Sequence, residues 1–177
     1  MTAAKMLADA ALAAGKFIQA FPEFGPERMG APVKSFTRIS EKPISIHCQV
    51  TTPDVSVLLD PTLIDVVDIA EGVRPSGIIL VNTKDSPAQL RKKMGLTGRK
   101  LYTVDASGIS IKALGKNIPN TPMVAAVVKA GKILDIDSVI RSFQSEYAQK
   151  FKDEIIKANI EAMRMAYDEV KAEGAKS

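Results

Sequence analysis

The sequence predicts an α/β fold, with a layered, mostly parallel sheet, helices on both faces, an antiparallel hairpin and a helical C-terminal tail. Three observations lead to this prediction. Apolar runs of strand length alternate with helical patterns between residues 55 and 104, which is typical of parallel strands covered on both faces. A strictly alternating run precedes them, and aromatic residues recur every four positions near the C-terminus. Apolar residues make up 46% of the 177, enough for the core of one domain.

The first fifty residues predict a helix, a long loop and the hairpin. The helix spans residues 3–14 and stops at Gly15. Residues 21–32 contain three prolines and two glycines, which excludes a regular element there. Residues 33–39 and 44–50 flank a turn, and the second run alternates apolar with polar residues, so these two runs are predicted to pair with one face in water.

The remainder predicts the sheet and the tail. Strands are predicted at 55–59, 78–82 and 101–104, and helices at 61–71 and 87–94. The chain is helical beyond Pro119, and Asp137 is predicted to cap a helix whose apolar stripe begins at Phe143 and extends to Val170. This stripe either packs on the chain's own sheet or in part contacts a partner subunit.

The positive charge is concentrated in one segment. Residues 84–116 hold 8 Lys and Arg against 2 Asp and Glu, and the rest of the chain has no net positive charge. The segment is either a solvated helix face with a loop or a surface for an anionic cofactor or acidic protein. Nucleic-acid binding is not expected, because Trp is absent and no aromatic residues are interleaved with the basic ones.

Composition excludes several classes of protein. The longest apolar runs, such as residues 77–81, are far shorter than the roughly 20 residues of a membrane span. Lys5 and Asp9 interrupt the apolar N-terminal stretch, so it is not a secretory signal, and we expect a cytoplasmic protein. Cys48 is the only cysteine, so no internal disulfide, zinc site or iron–sulfur cluster is expected within this chain, and no metal-binding residues are predicted.

No residue is predicted to be catalytic. His47, the only histidine, has no candidate triad partners and is expected to be an exposed strand residue. Cys48 is expected to be a small buried hydrophobe. Asp60, which follows a strand, is expected to cap a helix, and Asn82, at the end of the next strand, is equally consistent with a structural or a ligand-binding role.

Five short motifs resemble, in order, those of one protein family. They are Gln19-Ala20-Phe21-Pro22-Glu23-Phe24-Gly25-Pro26-Glu27-Arg28-Met29-Gly30-Ala31-Pro32-Val33 with Thr37-Arg38-Ile39, then Asp60-Pro61-Thr62-Leu63, Val81-Asn82-Thr83, Asn117-Ile118-Pro119-Asn120-Thr121, and Asn159-Ile160-Glu161-Ala162. Together they resemble the gamma subunit of the pyruvate/2-oxoacid:ferredoxin oxidoreductases over nearly the whole chain.

The resemblance implies an oxidoreductase that decarboxylates a 2-oxoacid, expected to be pyruvate, and transfers the acyl group to coenzyme A and electrons to ferredoxin. Thiamine diphosphate, Mg and iron–sulfur clusters are expected in the partner alpha, beta and ferredoxin-like delta subunits. This chain is expected to hold no complete cofactor site and to be inactive alone. It would supply subunit contacts and part of the surface for coenzyme A, the cosubstrate.

The resemblance also implies which residues bind coenzyme A. Arg28 and Arg38 are expected to bind its anionic groups. The other expected contacts come from one loop, in which Glu27 stands where single-chain relatives place a lysine: Phe24, Gly25, Glu27, Gly30, Ala31.

The family places a strand and a glycine-rich turn before the first helix. Here Met1 stands immediately before Thr2, so we expect that strand to lie upstream of the sequence as given. Residues 1–177 are otherwise predicted to form one gamma domain. The alternative function is a free-standing nucleotide- or anion-binding α/β module that uses the basic segment at 84–116.

Overall fold

The computed structural model describes residues 2–23 and 32–173. Within them the elements follow in the order α1 (Thr2–Ala13), β1 (Phe17–Glu23), β2 (Lys34–Ser40), β3 (Val55–Leu58), β4 (Ile78–Asn82), α2 (Pro87–Met94), β5 (Lys100–Val104), α3 (Ala106–Leu114), α4 (Asn120–Gly131), α5 (Ile136–Tyr147), α6 (Asp153–Glu169) and β6 (Lys171–Ala172).

A four-stranded sheet in the order β3-β4-β5-β6 forms the centre of the fold. The first three strands are parallel, with Ile78 of β4 opposite Val55 on one side and Lys100 on the other. The short β6 is antiparallel to β5 and pairs Lys171 with Thr103. The predicted mostly parallel sheet is therefore confirmed, and β6 was not predicted.

Apolar side chains from the two faces of the sheet enter two separate cores. Leu80 points into a core shared with α1 and with α3 to α6, whereas its neighbours Ile79 and Val81 point into a second core under α2 and the segment 59–77, which we call the crossover segment. All three residues are at most 1% exposed. Burying such a side chain is worth about 1.5 to 3 kcal/mol, so both faces of the sheet must stay covered.

Helix α6 of the predicted helical tail packs on α4 and α3, and α4 in turn packs on the sheet. Thr121 of α4 donates a hydrogen bond to Asn159 of α6 (2.8 Å), and Lys129 of α4 lies 4.4 Å from the ring centroid of Tyr167 of α6. Both pairs are separated by the same number of residues, so α4 and α6 run parallel. Most of α4 is buried between the sheet and α6, which explains its almost entirely apolar sequence.

The hairpin forms, but its strands differ from those predicted. Strand β2 pairs antiparallel with β1, from Phe17 opposite Ser40 to Glu23 opposite Lys34. The prediction that 33–39 pairs with 44–50 is wrong, because residues 44–50 form no strand. The predicted loop at 21–32 was also placed too early, since β1 continues to Glu23. Pro22 is tolerated because β1 is an edge strand and needs no donor there.

Local hydrogen bonds explain three further differences. The predicted helix at 61–71 is only a 3-10 turn over Pro61–Leu63, followed by turns in which the Asp68 carboxylate accepts from the Ala70 amide. Asp135, not Asp137, caps α5, by accepting from the Ser138 amide at 2.9 Å. Helix α3, which was not predicted, begins after a similar cap by Asp105.

Across the described residues, the structure contains no helix of the length and apolarity that crossing a membrane requires.

Candidate functional site

The hairpin β1–β2 presents one face to α1 and the other away from it. Thr37 donates a hydrogen bond to the Ala4 carbonyl of α1 (3.1 Å), and Ile39, two residues further, shares that face with its partner Ile18. Side chains alternate along a strand, so the intervening residues point to the opposite, outer face. Gln19, Phe21, Phe36 and Arg38 therefore lie on this outer face.

An aromatic pair and an arginine occupy the outer face. The Phe21 and Phe36 rings lie opposite each other, with centroids 5.6 Å apart. The Arg38 guanidinium carbon lies 5.6 Å from the Phe21 centroid, and Nη1 of Arg38 donates to Oε1 of Gln19 at 3.0 Å. A guanidinium at this distance from an aromatic ring is attracted to its face. The ring and the amide therefore hold Arg38 across the hairpin.

Arg38 also fastens the irregular segment 44–50 to the hairpin. Its Nη2 donates to the carbonyl oxygens of Cys48 (2.6 Å) and Gln49 (3.1 Å), and Nε2 of Gln49 donates to Glu23 of β1 (3.4 Å). Arg38 forms no ion pair with a carboxylate in the part of the chain that the structure describes. Among the described residues, only neutral dipoles contact its charge, and the group remains able to attract an anion.

A cleft adjoins this arginine. It is open to solvent, has a volume of about 290 Å³ and is lined by Gln19, Ala20, Phe21 and His47. This volume lies near the lower end for small-molecule sites. We call the cleft together with Phe36 and Arg38 the Arg38 site. It combines an aromatic ring, an amide, an imidazole and a cation, a set suited to a ligand that is both anionic and aromatic.

The structure places one of the predicted coenzyme A-binding residues. Arg38 lies in β2 and is partly buried. The remaining predicted residues lie outside the described residues, in the connection between β1 and β2: Phe24, Gly25, Glu27, Arg28, Gly30, Ala31. Sequence reasoning missed Gln19 and Phe21 as site residues. The run Phe17-Ile18-Gln19-Ala20-Phe21, with its aromatic and β-branched residues, was an available strand signal.

Two predictions for the neighbouring residues fail. Cys48 is exposed, not buried, because segment 44–50 is not pleated against a partner strand. His47 is exposed as predicted, but it lies in irregular structure and not on a strand.

The carboxyl edge of the sheet is occupied by structural contacts. Asp60 caps the 3-10 turn as predicted, and hydrogen bonds from the Thr62 hydroxyl and amide lower the pKa of its carboxyl group. Asn82 is 1% exposed and donates to the Leu59 carbonyl (2.8 Å) and the Ser107 hydroxyl (2.9 Å). Its oxygen accepts from the Ser107 amide at 3.2 Å. Both amide hydrogens of Asn82 thus join the end of β4 to Leu59 and to the first turn of α3, which favours a structural role.

Among the described residues, no three His, Cys, Asp or Glu side chains gather as a metal site would require.

Comparison with known proteins gives one consistent family. Residues 1–169 match the family described as pyruvate ferredoxin/flavodoxin oxidoreductase. Pyruvate synthase subunit PorC of Thermotoga maritima is 43% identical over 170 residues, which cover 96% of this chain and 88% of that protein. The common gamma subunit of the pyruvate/ketoisovalerate oxidoreductases of Pyrococcus abyssi is 44% identical over 168 residues, covering 95% of this chain and 89% of the relative.

Solved structures agree. The crystal structure of the Thermotoga maritima pyruvate oxidoreductase subunit PORC superposes with a TM-score of 0.82 at 40% identity, covering 97% of this chain and 89% of that one. A 2-oxoglutarate:ferredoxin oxidoreductase from Magnetococcus marinus, solved with 2-oxoglutarate, coenzyme A and succinyl-CoA bound, has a TM-score of 0.69 at 16% identity. The match spans 95% of this chain but only 28% of that one, and it shows a shared fold alone.

Proposed function

Because the chain belongs to the pyruvate ferredoxin/flavodoxin oxidoreductase family, in which its relatives are gamma subunits, we propose that it completes the coenzyme A-binding surface of such an enzyme. The chain is the gamma subunit of a 2-oxoacid:ferredoxin oxidoreductase. That enzyme decarboxylates a 2-oxoacid oxidatively to the acyl-CoA and passes electrons to ferredoxin. The alternative of a free-standing nucleotide- or anion-binding module is not favoured, since the similarity to these subunits spans almost the whole chain.

Pyruvate is the proposed 2-oxoacid. The Thermotoga maritima and Methanothermobacter marburgensis relatives are both named as subunits of pyruvate synthase. The Pyrococcus relatives are named as common to pyruvate and ketoisovalerate oxidoreductases, so in those organisms one gamma subunit serves two substrates. This supports assigning the choice of 2-oxoacid to other subunits of the complex.

The cofactors of the reaction are proposed to lie in partner subunits. An iron–sulfur cluster usually takes four cysteine ligands, and this chain has one cysteine. We therefore assign the clusters, thiamine diphosphate and Mg to the alpha, beta and ferredoxin-like delta subunits, with ferredoxin as the acceptor. In this arrangement the gamma subunit contributes binding and positioning, and the cofactors elsewhere perform the redox steps.

One observation carries the coenzyme A proposal, namely the Arg38 guanidinium without a carboxylate partner among the described residues. Arginine has five N–H groups, and the bonds to Gln19, Cys48 and Gln49 use three of them. The others can bind phosphate oxygens, for which the planar guanidinium is well suited. We propose that Phe24, Gly25, Glu27, Arg28, Gly30 and Ala31, which lie between β1 and β2 in the sequence, also contact coenzyme A.

Replacing Arg38 with Ala in the assembled enzyme tests this proposal. Loss of a charge-assisted contact costs about 1.5 to 3 kcal/mol, so the KM for coenzyme A should rise roughly ten- to a hundredfold. The decarboxylation half-reaction, measured without coenzyme A by exchange of labelled CO₂ into pyruvate, should be unchanged. R38K keeps the charge without the planar fork and should give an intermediate KM.

Arg141→Ala is the matched control, because Arg141 is an exposed arginine on α5 that contacts Ser138 and Asp135. It should leave the KM for coenzyme A unchanged. An R38A enzyme that assembles, keeps its melting temperature and has an unchanged KM for coenzyme A would refute the assignment.

A further inference from the structure

Five basic residues from the segment 84–116 meet at the amino edge of the parallel sheet. Helix α2 runs back from the end of β4 to the start of β5, so its last turn, with Arg91, Lys92 and Lys93, lies at that edge. The loop that follows brings Arg99 and Lys100 to the same place, where Lys100 begins β5 opposite Ile78. We call Lys92, Lys93 and Lys100, with the two arginines beneath them, the amino-edge patch.

The two arginines brace the loop between α2 and β5. Arg91 donates to the carbonyl oxygens of Leu96 (3.1 Å), Gly98 (2.8 Å) and Arg99 (3.0 Å), and its Nε donates to the Glu173 carboxylate at 2.8 Å. These bonds hold the loop on the end of α2 and occupy Arg91 fully.

Arg99 fixes the same loop from its other side. Its Nε and Nη2 donate to the Val73 carbonyl at 3.1 and 2.9 Å, and its amide donates to the Pro75 carbonyl at 3.0 Å. Its φ of 47° lies in the left-handed region, where a residue with a side chain is strained by about 1 to 2 kcal/mol. The side-chain bonds to Val73 explain why an arginine, and not a glycine, occupies this position.

The three lysines of the patch are exposed. Some other surface cations are paired, as in Lys5 with Asp9 and Arg164 with Asp137. Within residues 2–23 and 32–173, none of Lys92, Lys93 and Lys100 forms an ion pair. The patch therefore presents these positive charges on α2 and β5, the two elements that the braced loop joins, and holding their backbone in place on binding costs little conformational entropy.

We propose that the amino-edge patch docks an acidic surface of another subunit of the same complex. The inference rests on the proposed function, because it takes the chain to be one subunit of several. Charge complementarity identifies the occupant, since unpaired lysines on a rigid support attract a surface rich in Asp and Glu. A nucleic acid is not favoured, because Tyr102 is the only aromatic residue in 84–116 and packs against the core.

The site is also distinct from the Arg38 site in the fold. Ligands of parallel sheets bind at the carboxyl edge, and the patch lies at the opposite one, which suits a protein contact better than a small substrate. Losing the contact should thus weaken assembly without changing coenzyme A binding in the complexes that do form.

Titrating the chain against the remaining subunits, purified as a complex without it, tests the proposal. The double variant K92E/K93E should bind at least tenfold more weakly than the wild type at 50 mM salt. The difference should shrink to under threefold at 0.5 M salt, because the Debye length falls from roughly 14 to 4 Å. K92R/K93R, which keeps the charge, should bind like the wild type.

The matched control is K112E/K116E, which makes the same charge change in the same segment. Lys112 also lies in the last turn of a helix, α3, but on the other layer of the fold. Equal binding of K92E/K93E and wild type, an equal loss in K112E/K116E, or a loss that does not depend on salt would each overturn the inference.

Two further outcomes separate this inference from the proposed function. A wild-type chain that binds none of the other subunits would refute the assignment as a subunit and this inference with it. A wild-type chain that assembles, with K92E/K93E assembling equally well, refutes the amino-edge contact alone. Displacement of the subunits by duplex DNA through Lys92 and Lys93 would identify a nucleic-acid surface and also overturn it.

Discussion

Arg91 and Glu173 form the contact that fastens the last described residue of the chain to α2. Nε and Nη2 of Arg91 both contact the Glu173 carboxylate, which lies beside the short strand β6. Hydrogen bonding to Arg91 lowers the pKa of Glu173 below its ordinary value of 4.5 and raises the pKa of Arg91. The pair therefore stabilises the fold only while the carboxylate is ionised.

Substituting Glu173 with Gln should destabilise the chain in a pH-dependent way. A carboxyl group with a lowered pKa contributes stability above its unfolded pKa of about 4.5, and the contribution is lost as the pH falls through the folded pKa. The pair is partly exposed and screened, so we expect the free energy of unfolding of the two proteins to differ by about 0.5 to 1 kcal/mol at pH 7, and this difference to disappear once the pH falls below the folded pKa. Urea unfolding from pH 3 to 8 measures it.

Glu161→Gln is the control for this series, because Glu161 lies on an exposed position of α6 without an ion pair among the described residues. The free energy of unfolding of E161Q should stay within about 0.5 kcal/mol of the wild-type value at every pH. A difference between E173Q and wild type that grows as the pH falls would contradict the account.

At the scale of single residues, the sequence predicted local hydrogen bonds better than contacts between residues far apart in the chain. Asp60 was expected to cap a helix, because its carboxylate can accept a hydrogen bond from the amide of Thr62, only two residues away. The role of Asn82 could not be decided, since its partners Leu59 and Ser107 are more than twenty residues away and meet it only through strand packing. Arg38 was expected from the family resemblance alone, and its bonds to the carbonyls of segment 44–50 had no signature in the sequence.

At the scale of elements, two glycines with the same left-handed backbone conformation differ in the room that a side chain would have. Gly15, after α1, and Gly72, in the crossover segment, have φ of +77° and +70°. A Cβ at Gly15 would meet nothing within 4 Å, whereas a Cβ at Gly72 would lie 2.1 Å from the Thr51 carbonyl oxygen. Of these two glycines, Gly72 alone therefore lies tightly against another stretch of backbone.

Gly72→Ala should destabilise the fold much more than Gly15→Ala. The left-handed conformation alone costs about 1 to 2 kcal/mol with a side chain, which we expect for G15A. G72A must also displace backbone at Thr51, so we expect at least twice that loss. Chemical denaturation of both variants provides the comparison, and equal losses would show that the close approach to Thr51 is relaxed at no cost.

Among the elements, the parallel strands could be predicted and the hairpin partner could not. Ile79 and Leu80 face different cores, so β4 is apolar on both faces, and this pattern predicts a central strand. The alternation in residues 44–50 is an equally good local pattern, but pairing is decided by tertiary contacts. Strand β2 pairs with β1 because the inner face of β1 also packs on α1. Residues 44–50 are instead held by hydrogen bonds from Arg38 to the carbonyl oxygens of Cys48 and Gln49.

At the scale of the whole molecule, the proposed binding site and the proposed subunit contact lie on different parts of the fold. The Arg38 site lies on a two-stranded hairpin outside the main sheet, and the amino-edge patch lies at one rim of that sheet. A two-stranded hairpin is marginally stable by itself, so α1 and segment 44–50 must support the Arg38 site. Helices α4 and α6 pack against each other on one face of the main sheet, where most of α4 is buried.

Because the redox cofactors are assigned to other subunits, we predict that the isolated chain is inactive. Purified alone and given pyruvate, coenzyme A, thiamine diphosphate, Mg and ferredoxin, it should form no acetyl-CoA, because a single cysteine cannot hold an iron–sulfur cluster that would carry the electrons. Adding the remaining subunits should restore acetyl-CoA formation and ferredoxin reduction together, measured by chromatography and by absorbance. The same subunits without this chain are the control and should fall well below the complete complex in coenzyme A-dependent turnover. Acetyl-CoA formed by the chain alone would contradict both its role as a gamma subunit and the placement of the redox cofactors in its partners.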